Sequence, residues 1–213
     1  MKSIHVFFIL MLSMTLTSCR HDYQPQTGDL LFMDLDCGSF CQAIKKVTYG
    51  VDGTHPSHVG VVYIKNGKTY VIEADTKGVV KTPIDSFLNR SLDVKGHPKV
   101  LVGRLKEEYR FEIEPAIHRM LALLGKPYDF AFDINNDCYY CSELLYKGFL
   151  DKSGTPVFKL EPMTFNDPDT KTIFAIWDDY FKKLGIPVPE GKPGLNPGSI
   201  SRSNKIEIVY RYY

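Results

Sequence analysis

The chain has 213 residues, of which 44% are hydrophobic, 24% charged and 13% aromatic, a balance that excludes disordered, collagen-like and coiled-coil architectures. With 26 Lys and Arg against 25 Asp and Glu, it has no basic excess to hold a nucleic acid and no like-charge run to act as an interaction tail. A chain of this length buries roughly 70% of its unfolded surface, enough for one core without staples, so a single domain is expected.

The amino terminus reads as an address. Lys2 precedes the apolar run Val6–Leu16, which is too short to span a ~30 Å hydrocarbon layer but suits the core of a signal peptide. Leu16-Thr17-Ser18-Cys19 follows it directly and resembles the lipobox of bacterial lipoproteins. That resemblance implies a signal peptide over residues 1–18, with Cys19 as the lipidated first residue after cleavage. Residues 19–26 are polar, contain Pro25 and read as a tether, leaving residues 27–213 as the domain.

Thr27–Met33, "TGDLLFM", is a short apolar strand opened by Gly28-Asp29. Cys37–Tyr49 has helical spacing in Phe40, Ala43, Ile44 and Val47, with Ser39 placed to cap it. "HVGVVYIKNGKTYVIEA" is two β-branched runs joined by Asn66-Gly67, the preferred dipeptide of a two-residue type I′ hairpin. Val79–Thr82 reads as strand, Asp85–Arg90 as a helical turn and Val100–Leu105 as strand again. Over Glu112–Leu124 the residues Ile113, Ala116, Ile117, Met120, Leu121 and Leu124 form one helical stripe. Pro115 sits in its first turn and Gly125 just past its end. Ser142–Leu150 and Phe174–Leu184 are two more helices, the former with Leu144, Leu145 and Phe149 inward. The Pro/Gly-rich "GIPVPEGKPGLNPG" and a closing strand, Ile206–Tyr212, complete the chain. The expected fold class is α+β, an antiparallel sheet with helices segregated from it.

With Cys19 assigned to the address, Cys37, Cys41, Cys138 and Cys141 remain. Two disulfides, a four-cysteine zinc site and a Cys138–Cys141 redox pair all fit the count. Local context divides them. Cys141 begins the helical run "CSELLYKGFL", where free backbone N–H groups favour an attacking thiolate and offer an oxyanion site. Cys138 lies in the polar turn "NNDCYY", and Cys37 and Cys41, four apart, suit the core or each other.

The hairpin supplies the rest of a reactive centre. If Asn66 and Gly67 are the loop residues, Lys65 faces Lys68 and Glu73 lies opposite Gly60. His58 is then on the same face as Glu73, one diagonal step away, with the missing side chain of Gly60 leaving the space between them open. A carboxylate behind an imidazole fixes its tautomer and stabilises the imidazolium.

"GDLLF", "SHVGVVYI", "VIEA", "GKPYDFAF" and "YYCSELLY" together resemble the sequence blocks of the NlpC-type cell-wall cysteine peptidases. The histidine block precedes the cysteine block, which is similar to the circularly permuted, papain-like YiiX/YebB-like branch. The resemblance implies a permuted papain-like fold with Cys141 as nucleophile, His58 as base and Glu73 as the group that orients it. It also implies Tyr128, in "GKPY", as a hydroxyl near the nucleophile. The implied protein is an envelope-anchored cysteine hydrolase needing no metal or organic cofactor. It would face the periplasm or cell surface, touch the membrane through its lipid alone, and cleave an amide bond in cell-wall peptides. Two other expectations stand beside it: a lipid amide or ester hydrolase or acyltransferase of the same fold, and a non-catalytic envelope binding module. The tail "VYRYY" and the Pro/Gly loop either wall an apolar pocket for the lipid reading or form edge structure.

Overall fold

The computed structural model describes residues 23–213. The apolar run and Cys19 lie outside the described residues, and among those described no helix is long and apolar enough to cross a membrane.

The Asn66-Gly67 turn sets the register on which everything else is built. Asn66 and Gly67 both adopt positive φ, 51° and 71°, as a type I′ turn requires. Lys65 therefore pairs with Lys68 and Val61 with Ile72, joining β2 (His58–Lys65) to β3 (Lys68–Asp75). β3 continues into β4 (Gly78–Pro83) on one side, and β2 pairs on the other with β1 (Leu30–Met33). Beyond β1 come β5 (Val100–Leu105) and then β8 (Ile206–Arg211), giving a six-stranded antiparallel sheet in the order β4-β3-β2-β1-β5-β8. All four residues of β1 are buried, which is why the central strand reads as the unbroken apolar run "LLFM" rather than an alternation.

Both sheet faces are covered. Leu30, Phe32, Val59, Val61, Ile72, Leu101 and Leu105 pack against α3 (Ile113–Ala122) and α4 (Cys141–Gly148). The opposite face, with Leu31, Met33, Val62, Val71, Val100 and Val102, is closed by Phe87 of α2 (Ile84–Leu88) and by Tyr210 and Tyr212. The aromatic tail is thus edge structure over the second core, not the wall of a pocket. Burying each such side chain contributes roughly 1.5–3 kcal/mol relative to exposure. A third, aromatic cluster joins α1 (Ser39–Val47) to α5 (Ala175–Leu184) through Phe165, Trp177 and Phe181. A two-stranded ribbon of β6 (Glu161–Pro162) and β7 (Pro193–Gly194), followed by α6 (Pro197–Ser201), completes the architecture.

Three local expectations change. Ser39 lies inside α1, whose N-cap is Gly38 with no side-chain cap bond. α3 ends at Ala122 and is preceded by a 3₁₀ stretch over Glu107–Glu112, so Leu124 falls beyond the helix and is exposed. Tyr23, within the polar segment read as a tether, stacks on Tyr210 with ring centroids 5.3 Å apart and donates its hydroxyl to Asp29.

Candidate active site

β2 begins at His58, so the imidazole stands at a strand end, where a side chain from a helix can reach it. Glu73 comes from the paired strand, as the hairpin register requires. His58 Nε2 lies 2.6 Å from Glu73 Oε2, and Glu73 is fully buried. Gly60 matters for a steric reason: a Cβ there would sit 2.4 Å from Val71 Cγ1 and 3.3 Å from Glu73 Cβ. Any larger residue would collide with Val71 and crowd the base of the Glu73 side chain.

Two residues complete the carboxylate's shell. Arg90 Nη2 donates to both Glu73 oxygens, at 2.5 and 2.6 Å, and Thr82 Oγ1 donates to Oε1 at 2.5 Å. Phe87 lies between the two cations, its ring under the Arg90 guanidinium at 4.7 Å and tilted against the His58 ring at 5.8 Å. Thr82 follows from strand alternation, being on the same face as Val80, which pairs with Glu73. Arg90 carried no signal, because it lies beyond the end of α2 in a turn whose direction no periodicity fixes.

The electrostatics follow from this packing. Burial opposes ionisation of Glu73, but His58 and Arg90 outweigh it and hold the carboxyl at about 2. Burial likewise opposes a charged His58. Hydrogen bonding to Cys141 and Glu73, together with their charges, reverses that and raises the imidazole to about 9. With Nε2 committed to Glu73, Nδ1 is the ring nitrogen left to face Cys141.

Cys141 is the first residue of α4, the helix's N-cap being Tyr140. The sulfur is free and buried, Cys138 is free and half-buried, and Cys37 and Cys41 are joined by a disulfide. That bond removes the four-cysteine zinc alternative, and the absence of a Cys138–Cys141 bridge leaves the thiol at the helix start unblocked. Tyr140 Oη accepts from the Leu195 N–H, and Ser142 Oγ donates to the Leu195 carbonyl, so the Pro/Gly-rich loop is pinned to the start of α4.

Between α1, this loop and residues 161–165 lies a cleft of about 230 Å³, lined by Tyr128 and Cys141 among others. Its walls are largely apolar: Ile44, Val47, Phe132, Met163, Phe165 and Leu195. Burial, and next the neighbouring Cys141, push the Tyr128 phenol well above its ordinary value, which keeps the hydroxyl a donor. The structure therefore brings Cys141, His58, Glu73 and Tyr128 together, while Cys138 and the disulfide stand outside the cleft lining.

Glu143, two residues after Cys141, is fully buried in the first turn of α4 and accepts the Tyr140 N–H at 3.4 Å. Its second oxygen has no hydrogen-bond partner. Burial, with the Asp129 charge adding to it against the Tyr140 hydrogen bond, raises the carboxyl to about 8. A group raised in the folded state stabilises fully below its unfolded value and loses that contribution as pH rises through the folded one. Glu143→Gln, which keeps the acceptor and removes the titration, should therefore melt higher than the parent at pH 9 and nearly equally at pH 5. The expected difference is about 2–4 °C by differential scanning calorimetry; equal melting at both pH values would show that the fold does not raise the Glu143 carboxyl.

Residues 24–210 match the family model described as a permuted papain-like amidase enzyme, YaeF/YiiX, C92 family. The chain is 31% identical over 183 residues to the protein YiiX of Escherichia coli (strain K12), an alignment covering 85% of each. It also superposes on the crystal structure of yiiX from Escherichia coli O157:H7 with a TM-score of 0.69 and 26% identity, covering 89% of this chain and 98% of that one. That structure is described as a metalloprotein. Here, among the described residues, no three or more His, Cys, Asp or Glu side chains are grouped to hold a metal ion. Both Glu73 oxygens accept hydrogen bonds from the Arg90 guanidinium. The order of the hairpin histidine before the helix cysteine is that of the permuted branch, and the match over residues 24–210 means that the chain belongs to the permuted papain-like amidase family and is a cysteine hydrolase.

Proposed function

We propose that this hydrolase cleaves an amide through a Cys141-His58-Glu73 triad and an acyl-enzyme. The observation that carries the reading is the His58 ring, held between the Glu73 carboxylate and the Cys141 sulfur and raised to about 9 by both. At neutral pH such a ring is an imidazolium, and the proton it holds is the one a thiolate would have surrendered. The Cys141 thiolate attacks the amide carbonyl, forming the C–S bond. The Cys141 N–H, unpartnered by helix geometry at the first helical position, and the Tyr128 hydroxyl donate to the resulting oxyanion. His58 then gives its proton to the departing amine as the C–N bond breaks. Water, deprotonated by the same ring, hydrolyses the thioester and returns the thiol. Each acid–base step contributes on the order of 10²–10⁴-fold.

On substrate, the apolar walls formed by Ile44, Val47, Phe132, Met163, Phe165 and Leu195 favour an amide bearing an apolar group over a polar stem peptide. Cell-wall peptides are the alternative that the resemblance suggested. The Lys2, Val6–Leu16 and Cys19 pattern supports an exported, lipid-anchored site of action. The deciding assay incubates the full chain with N-acyl amino-acid amides and, separately, with stem peptides, and follows products and protein mass. An acyl adduct on the Cys141 peptide is expected with the acyl amides; turnover of stem peptides alone would reverse the substrate assignment. A protein that cleaves neither and carries no adduct would favour the binding-module reading.

A further inference from the structure

The cleft does not end at its apolar walls. Glu161 and Arg202 also line a second cavity of about 300 Å³, so the two spaces meet at these side chains. The second cavity differs in charge: Lys159, Arg202 and Lys205 line it against the single carboxylate of Glu161. Lys205 is fixed in place, donating to the Val157 carbonyl at 2.5 Å with its ammonium over the Tyr109 ring at 5.4 Å. Arg202 is exposed, and among the described residues its guanidinium makes neither an ion pair nor a hydrogen bond. Its backbone is nonetheless anchored, because its N–H caps α6 by donating to the Gly198 carbonyl at 3.2 Å. The other end of α6, at Asn196-Pro197, lines the first cleft. A planar, permanently charged fork on an anchored backbone therefore reaches the junction of the two cavities with all its donors free, an arrangement suited to bidentate binding of a carboxylate or phosphate.

We infer that the second cavity is a binding site for an anionic group, a carboxylate or a phosphate ester, carried by a substrate whose scissile amide lies at Cys141. Arg202 is the recognising side chain. Lys159 and Lys205 bias the field in the same direction, and Glu161 opposes them. This rests on the proposed amide-hydrolase reading, and it makes the substrate amphipathic: an apolar portion against the α1 and α5 walls and an anionic end beside α6.

Binding can be measured apart from turnover in the full-length Cys141→Ala protein. By isothermal titration calorimetry, N-octanoylglycine or octyl phosphate should bind about fivefold more tightly than the neutral N-octanoylglycinamide, and high salt should erase the difference. Adding Arg202→Gln should remove most of that preference, and adding Lys159→Gln should reduce it less. The better of the two anions identifies the group recognised. Equal affinity for the neutral amide, or an anion preference that survives Arg202→Gln, would overturn the inference. Absence of amide cleavage by the parent enzyme would instead strike the catalytic proposal, leaving this binding result to stand or fall by itself.

Discussion

Cys141→Ala is expected to lower amide turnover by at least about 10⁴-fold while the protein still folds and still binds its substrate. The sulfur occupies the first position of α4, and the helix is held there by contacts that do not involve it: the Ser142 and Tyr140 links to Leu195, and the packing of Leu144, Leu145 and Phe149 in the main core. Removing one buried sulfur leaves that scaffold in place, so the loss should be chemical. Rapid alkylation by iodoacetamide should vanish with the activity. Cys138→Ala is the control, because Cys138 does not line the cleft; it should keep both the rate and the fast-reacting thiol. Turnover persisting in Cys141→Ala would assign the chemistry to another nucleophile.

The second large effect concerns Glu73. For His58, raised to about 9, the stabilising charge is fully present below about 6.5 and is lost as pH rises through 9. For Glu73, lowered to about 2, it is present above about 4.5 and is lost as pH falls through 2. The pair is at full strength between roughly pH 4.5 and 6.5 and fades toward both folded values. The alkaline limb of kcat/KM should accordingly centre near pH 9, where the imidazolium loses its proton. Glu73→Gln should lower kcat and move that limb down by about one to two units, since only Cys141 then favours the charged ring. It should also destabilise the fold by about 2–3 kcal/mol at neutral pH, because Arg90 and His58 are left facing a neutral, fully buried amide. The partial exposure of Arg90 keeps that figure at the low end. A limb that stays at pH 9 in Glu73→Gln would show that the carboxylate does not govern His58.

The triad was legible because two of its members come from the most local of structures. A two-residue turn fixes register absolutely, so Asn66-Gly67 determines that Glu73 and His58 share a face, and Gly60 marks the gap between them. Cys141 could be placed at a helix start because polar turn residues give way there to an apolar stripe. What brings the helix to the hairpin is tertiary, and only the family resemblance anticipated it. Arg90 illustrates the limit. It reaches Glu73 from outside the hairpin, and an arginine beyond a short helix looks the same in sequence whether it is solvated or clamped to a carboxylate. The cleft was equally opaque, since its walls come from α1, residues 161–165 and residues 194–197, segments far apart in the chain. Of the two candidates for such a wall, the Pro/Gly loop contributes and the tyrosine tail does not. The tail's residues alternate along an edge strand and turn toward the α2 side of the sheet.

The permuted order has a consequence for biosynthesis. The base and its carboxylate belong to an early hairpin that can pair as soon as it is made, whereas the nucleophile arrives many residues later and the loop pinned to it later still. Reactive chemistry is thus completed late: a chain ending before Leu195 would lack both the loop that pins the start of α4 and one wall of the cleft. Maturation should be paced by these long-range closures, which are slow steps in any topology rich in non-local contacts.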